Sequence, residues 1–307
     1  ASHMVGMTNK MKRAEMLPAS INAGCDMFLF FNDPEEDFAT MLNAYKTGVI
    51  SEERMVEALT RILGLKASKG MHKMTADQLC GTDEELAAAL NNAEFKSYSA
   101  EISKDSLTLV KYLDEGVLPL DPNKTKRIMI VHIKGLPNPM MALAAAAMGG
   151  GAAKKTPAEK LRDRLNQKGF EAFLYESPLD TMKKQLAAGE KPSLNLYFAG
   201  KNAIDDFTAG QDLILSVYDV AVGRPAFGMS KGGGEIPWYV FEQDVVGISV
   251  NAPTMLADVP MLRTYINAYT SADETLDALV DALLSGPEAF RGKDPIDSFC
   301  GLWDTRI

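Results

Sequence analysis

The chain has 307 residues, of which 46% are hydrophobic and 24% charged, with a formal net charge of -9. That length makes two domains the expectation, and the composition is that of a folded globular protein. The acidic balance argues against nucleic-acid binding, which needs a basic stripe, and Lys10-Met11-Lys12-Arg13 and Lys154-Lys155 are too short to make one.

Residues 8–21 carry Met11, Ala14, Met16, Leu17 and Ile21 at roughly helical spacing, which predicts a first amphipathic helix. Met27 to Phe31, following Gly24-Cys25-Asp26 and closing on Asn32-Asp33-Pro34, is apolar at every position, so both faces want burial, as in a central strand of a parallel sheet. Its neighbours read as helices and the next convincing strand lies past residue 100. A strand so isolated is expected to be one βα unit of a larger β/α barrel. Asp33-Pro34-Glu35-Glu36 is a helix start, because an Asp cap, a Pro at the first helical position and early carboxylates suit the free N–H groups. Phe38, Met41, Leu42 and Tyr45 then form one apolar face ending at Gly48, and a further helix from Ser51 is expected to turn Met55, Leu59, Ile62 and Leu63 inward. From Met71 to Ser99 the pattern is that of two polar-faced helices opened by the capping boxes Thr75-x-x-Gln78 and Thr82-x-x-Glu85, a link between two bodies.

In the second body Leu107–Val110, Arg127–Val131, Ala172–Tyr175, Leu213–Val217 and Val246–Val250 are five candidate strands. Helical stretches separate most of them, the clearest opening at Thr156-Pro157-Ala158-Glu159 and running through Leu161 and Leu165; a last helix spans Thr275 to Ser285. Such alternation predicts an α/β fold, a three-layer α/β/α sandwich around a mostly parallel sheet. The expected organisation is a barrel remnant over 1–74, a helical linker over 75–104 and the sandwich over 105–307.

Cys25, Cys80 and Cys300 are widely spaced, and with only His3, His72 and His132 no metal-ligand spacing exists. Neither a metal nor another cofactor is therefore expected. The cysteine usage fits a reducing compartment, and no signal peptide or membrane-length apolar run is visible. The reading is cytoplasmic, without membrane partners; a signal peptide stays open, because the natural N-terminus is expected to lie upstream of Ala1.

Three separated stretches carry a resemblance. Ala23-Gly24-Cys25-Asp26-Met27-Phe28-Leu29-Phe30-Phe31-Asn32-Asp33-Pro34 resembles the eighth strand of the catalytic barrel in glycoside hydrolase family 3, in its bacterial β-N-acetylhexosaminidase branch. Leu118-Pro119-Leu120, and the tail from Asp258-Val259-Pro260 to Leu302-Trp303-Asp304-Thr305-Arg306, resemble the opening and the end of the family's C-terminal sandwich. The resemblance implies retaining hydrolysis of terminal N-acetylglucosamine from chitin- or peptidoglycan-derived saccharides, in which two groups flank one glycosidic bond. It also implies that the nucleophilic Asp stands just before Ala1 and the His/Asp acid–base pair further upstream, so that no catalytic group is expected in the chain and its partner is the missing N-terminal barrel. Met4, Phe31 and Asn32 are then expected near the substrate, at the barrel's C-terminal rim.

Glu235, in Lys231-Gly232-Gly233-Gly234-Glu235-Ile236-Pro237-Trp238, is the one alternative acid/base, since the family's β-glucosidase branch draws a Glu from this domain. Its motif does not match that branch, and a surface loop is the simpler reading. Gly149 to Thr156 fails as a phosphate loop because Lys154 stands where a glycine is required. His132 reads as a hydrogen-bonded buried or rim histidine and Asp26 as a capping or packing carboxylate. A different class of function, an interaction module whose orphan strand pairs with a second copy, stays open at this point.

Overall fold

The computed structural model describes residues 9–29, 33–75, 78, 81–135, 155–176, 178–191, 210–221 and 238–296. The chain divides into two compact units, Ala1–Asn91 and Asn92–Ile307.

The first unit is helical: α1 (Arg13–Asn22), α2 (Pro34–Lys46), α3 (Glu52–Ser68) and α4 (Asp83–Leu90). Its helix starts follow local chemistry. The Asp33 carboxylate accepts from the N–H groups of Glu35 and Glu36 at 3.0 Å each, Ser51 caps α3, and Thr82 and Glu85 complete the expected capping box of α4. The strand expected over Met27–Phe31 does not form in its described part. Residues 25–29 belong to neither helix nor strand, Met27 and Leu29 are 54% and 72% exposed, and only Phe28 packs inward. A strand holds its shape through ladder bonds, and no other strand lies among the described residues of this unit to supply them.

The helix faces differ from expectation for the same reason. Ile21, Ala44 and Ile50 form a small core with Phe28, Met41 and Met55, while Phe38 and Leu63 are 69% and 60% exposed and Leu42, Tyr45 and Leu59 are exposed as well. The apolar stripes exist; nothing described in the unit covers them. One cation clamps what core there is: Arg54 Nε donates to the Ile21 carbonyl at 2.8 Å, and its Nη2 to the Cys25 carbonyl at 3.1 Å and the Asp26 carboxylate at 2.7 Å. Arg54 holds the Asp26 carboxyl below the usual range against the effect of burial, and Arg61 adds to this. Asp26 is thus a packing carboxylate. Arg54→Ala, which strips two carbonyls and a carboxylate of their donor, is expected to loosen the packing of α1 against α3, read as faster amide exchange over residues 21–26; unchanged exchange would show that water replaces the clamp.

The second unit opens with α5 (Ala93–Ser106), capped by Asn92, and continues through β1 (Thr108–Tyr112), β2 (Arg127–Lys134), α6 (Pro157–Gln167), β3 (Glu171–Leu174), α7 (Pro178–Ala187), β4 (Leu213–Asp219), β5 (Val245–Ser249), β6 (Thr264–Asn267) and α8 (Asp273–Ser285). The six strands lie in the order β1-β6-β5-β4-β2-β3, all neighbours parallel except β1 and β6. The α/β fold with a mostly parallel sheet is therefore present, and its described residues include one strand, β6, beyond the five that the sequence suggested. All four residues of β6 are buried.

Alternation along the strands sorts the core into two layers. Ile128, Ile130, Leu213, Leu215, Val246 and Ile248 face α6 and α8, whose Leu161, Leu165, Leu276 and Leu279 complete that layer. Met129, Val131, Ile214 and Tyr218 face the other way, beneath Tyr239, Met255, Leu256 and Leu262. The Thr156 and Glu159 capping box starts α6 as expected, and Arg164 ties α6 to α8 by reaching Asp273 at 3.0 Å and Asp277 at 2.6 Å. The β3 edge is closed by a side chain: Asn166 accepts from the Ala172 N–H at 2.7 Å and donates to its carbonyl at 3.1 Å, standing in for a further strand. Asn166→Ala is expected to cost about 1–2 kcal/mol and to speed amide exchange at Ala172; unaltered exchange there would refute the edge-capping role.

Candidate functional site

In open α/β sheets ligands gather at the carboxyl ends of the strands, where the strand order reverses. Here that point lies between β2 and β4, because β3 follows β2 towards one edge while β4, β5 and β6 lie on the other side. The pairing register sets His132 opposite Val217 and Lys134 opposite Asp219, and puts the polar ends of two buried strands side by side. His132 Nε2 stands 3.8 Å from Asp219 Oδ2, beyond hydrogen-bond distance, and forms a charge contact with it only when the imidazole is protonated. His132 holds the Asp219 carboxyl below the usual carboxylate range, with help from Asn251 and Lys134 and against the effect of burial. The carboxylate is ionised at neutral pH and acts as an acceptor.

Around this pair the backbone is satisfied. The Gly135 N–H donates to the Asp219 carbonyl at 3.1 Å, the Val250 N–H to the Tyr218 carbonyl at 3.0 Å and the Ala252 N–H to the Val220 carbonyl at 3.1 Å. Ser249 Oγ donates to the Ala252 carbonyl at 2.7 Å, and Asn267 Nδ2 to the Pro253 carbonyl at 3.2 Å. Two side-chain atoms of this edge are buried without a hydrogen-bond partner, His132 Nε2 and Asn267 Oδ1. The histidine is thus at the rim, as the sequence suggested, but it is not hydrogen-bonded through Nε2. Asp219 was not singled out from the sequence, where the strand was expected to end at Val217.

Two further concavities are of different character. In the first unit a groove of about 660 Å³ between α1 and α2 is lined largely by small residues, among them Ala14, Pro18, Ala39 and Ala44. At the opposite end of the sheet from His132, Asp114, Asp212, Glu242, Asp244 and Arg263 surround an acidic hollow of about 490 Å³. Among the described residues no group of three or more His, Cys, Asp or Glu side chains is placed to hold a metal ion, and no helix is long and apolar enough to cross a membrane. Met4, Phe31, Asn32 and Glu235, the residues expected near the substrate or as an alternative acid/base, lie outside the described residues. So does most of the Gly149–Thr156 stretch, whose Lys155 pairs with Asp163 at 2.7 Å.

No family model matches the chain. It is 32% identical over 308 residues to a β-N-acetylglucosaminidase/β-glucosidase of Cellulomonas fimi, matching 99% of this chain and 49% of that protein. Among solved structures it superposes on the β-glucoside phosphorylase BglX with a TM-score of 0.65 at 31% identity, over 100% of this chain and 49% of that one. A glycoside hydrolase family 3 β-N-acetylglucosaminidase from Paenibacillus sp. str. FPU-7 shares the fold, with a TM-score of 0.54 at 18% identity over 94% of this chain and 48% of that one. The chain spans about half the length of the relatives it matches. Along its length the chain is thus similar to the C-terminal part of glycoside hydrolase family 3 enzymes.

Proposed function

We propose that this chain is the C-terminal portion of a retaining β-N-acetylhexosaminidase, one that releases terminal N-acetylglucosamine from chitin- or peptidoglycan-derived saccharides. Retaining hydrolysis needs a nucleophile and an acid/base on either side of one bond. In this reading both come from the half of the fold that the chain does not span, and the chain alone is inactive. The observation that carries the reading is the uncovered apolar surface of the first unit: Phe38, Leu42 and Tyr45 on α2, Leu59 and Leu63 on α3, and Met27 and Leu29 between α1 and α2. Patches of that kind mark a surface that another body covers, and relatives about twice as long supply such a body. The names of those relatives span glucosaminidase, glucosidase and phosphorylase, so the choice of N-acetylglucosamine rests on the sequence resemblance.

The test is release of nitrophenol from chromogenic β-N-acetylglucosaminide and β-glucoside. The chain alone is compared with the chain joined to the half of the Cellulomonas fimi relative that it does not match. Activity in the joined protein only, faster on the N-acetylglucosaminide, is the expected result. Activity in the chain alone would overturn the reading, and its loss in Glu235→Gln would then identify the acid/base. The same exposed faces favour a second reading, a non-catalytic module that pairs with its own copy; a single sedimentation coefficient at all concentrations would exclude it.

A further inference from the structure

We propose that the carboxyl ends of β2 and β4 form a notch that binds one hydroxyl group of a saccharide between His132 and Asp219. The saccharide class rests on the glycosidase reading above; the hydroxyl does not. The spacing argues for it first. At 3.8 Å the imidazole Nε2 and the carboxylate Oδ2 miss each other as hydrogen-bond partners, yet one oxygen can lie about 2.8 Å from both. A hydroxyl there accepts from Nε2–H and donates to Oδ2, which uses both of its functions. An amine satisfies only the carboxylate, and an anion is repelled by it.

Location and burial supply independent support. The pair sits where the strand order reverses, and His132 Nε2 is a buried polar atom without a partner on an edge whose backbone groups are bonded to one another. The charges beside it are the Asp219 carboxylate on β4 and Lys134 on β2, which also acts on that carboxylate. That mixture of signs, without a cluster of cations, suits a neutral polyhydroxylated ligand better than a phosphate. Access runs past Asp219, whose side chain is one third exposed while that of His132 is 12% exposed.

The experiment follows the imidazole resonances of the full chain during separate titrations with N-acetylglucosamine, methyl β-glucoside and inorganic phosphate. His3 and His72 serve as internal references, and His132→Gln assigns the third signal. Saturable movement of the His132 resonances with the sugars, absent with phosphate, is expected. Asp219→Ala is expected to weaken that binding about tenfold, the loss of one charge-assisted contact; Asp219→Asn, which preserves shape and one acceptor, is expected to fall between. Still resonances under both sugars, movement with phosphate instead, or equal affinity in Asp219→Ala would each overturn the proposal. An active joined enzyme with a silent His132 removes the notch alone, whereas sugar binding at His132 beside an inactive joined enzyme removes the glycosidase reading and leaves the notch standing.

Discussion

Gly247→Ala is expected to destabilise the second unit by about 3 kcal/mol, the upper part of the usual range for overpacking. Gly247 lies in the middle of β5, a strand buried at all five positions, with β4 on one side and β6 on the other. A Cβ at that position meets Leu262 Cδ1 at 2.6 Å and Tyr265 Cδ2 at 2.8 Å. Neither side chain has room to retreat. Both are fully buried, and Tyr265 belongs to β6, so moving its ring drags on the ladder that joins β5 to β6. The measurement is urea unfolding followed by tryptophan-independent circular dichroism: a lower midpoint with an unchanged slope is expected. An unchanged midpoint would mean that the layer containing Leu262 and Tyr265 is loosely packed. Gly64→Ala supplies the contrast. Gly64 is an exposed residue inside α3 with nothing within 4 Å of its would-be Cβ, so the exchange is expected to stabilise by about 0.5–1 kcal/mol through helix propensity alone.

The same physics explains what was legible in the sequence. Arg127–Val131 and Leu213–Val217 announce themselves because a parallel strand covered on both faces is apolar throughout. Caps at Asp33, Thr82 and Thr156 are equally readable, since each is a bargain between residues three apart. β6 was not readable. Thr264-Tyr265-Ile266-Asn267 is half polar, yet wholly buried, and only its neighbours β1 and β5 make it a strand. Helical periodicity at Phe38, Met41, Leu42 and Tyr45 correctly signals an apolar stripe but carries no information about what covers it. The His132 and Asp219 pair was hidden for a related reason: the two lie far apart in the chain, and only the register between β2 and β4 sets them together. Met4, Phe31 and Asn32 rest on the resemblance and Glu235 on its glycine-rich loop, and all four fall outside the described residues.

Cutting the chain between Asn91 and Asn92 is expected to separate a body that folds by itself from one that does not. The fragment 92–307 contains both core layers of the sheet and should unfold in one cooperative transition. The fragment 1–91 should keep some helical circular dichroism, because its caps are local, but melt without a sharp transition and bind a hydrophobic dye. Its described buried apolar residues are Met16, Leu17, Ile21, Ala44, Ile50 and Ala58, of which Ile21, Ala44 and Ile50 form a cluster with three half-buried neighbours, whereas a domain of about that size needs most of its apolar surface buried to offset chain entropy. Phe38, Leu59 and Leu63 contribute nothing to that offset while they face solvent. A sharp, concentration-independent melt of 1–91 would refute this argument and, with it, the need for a covering body. A sharp melt that appears only as concentration rises would show that two copies cover each other's apolar faces. The chain would then be an interaction module, and the joined protein would be the wrong place to look for activity. No cooperative melt at any concentration, restored when the unmatched half of the Cellulomonas fimi relative is added, would place the first unit inside a larger catalytic body.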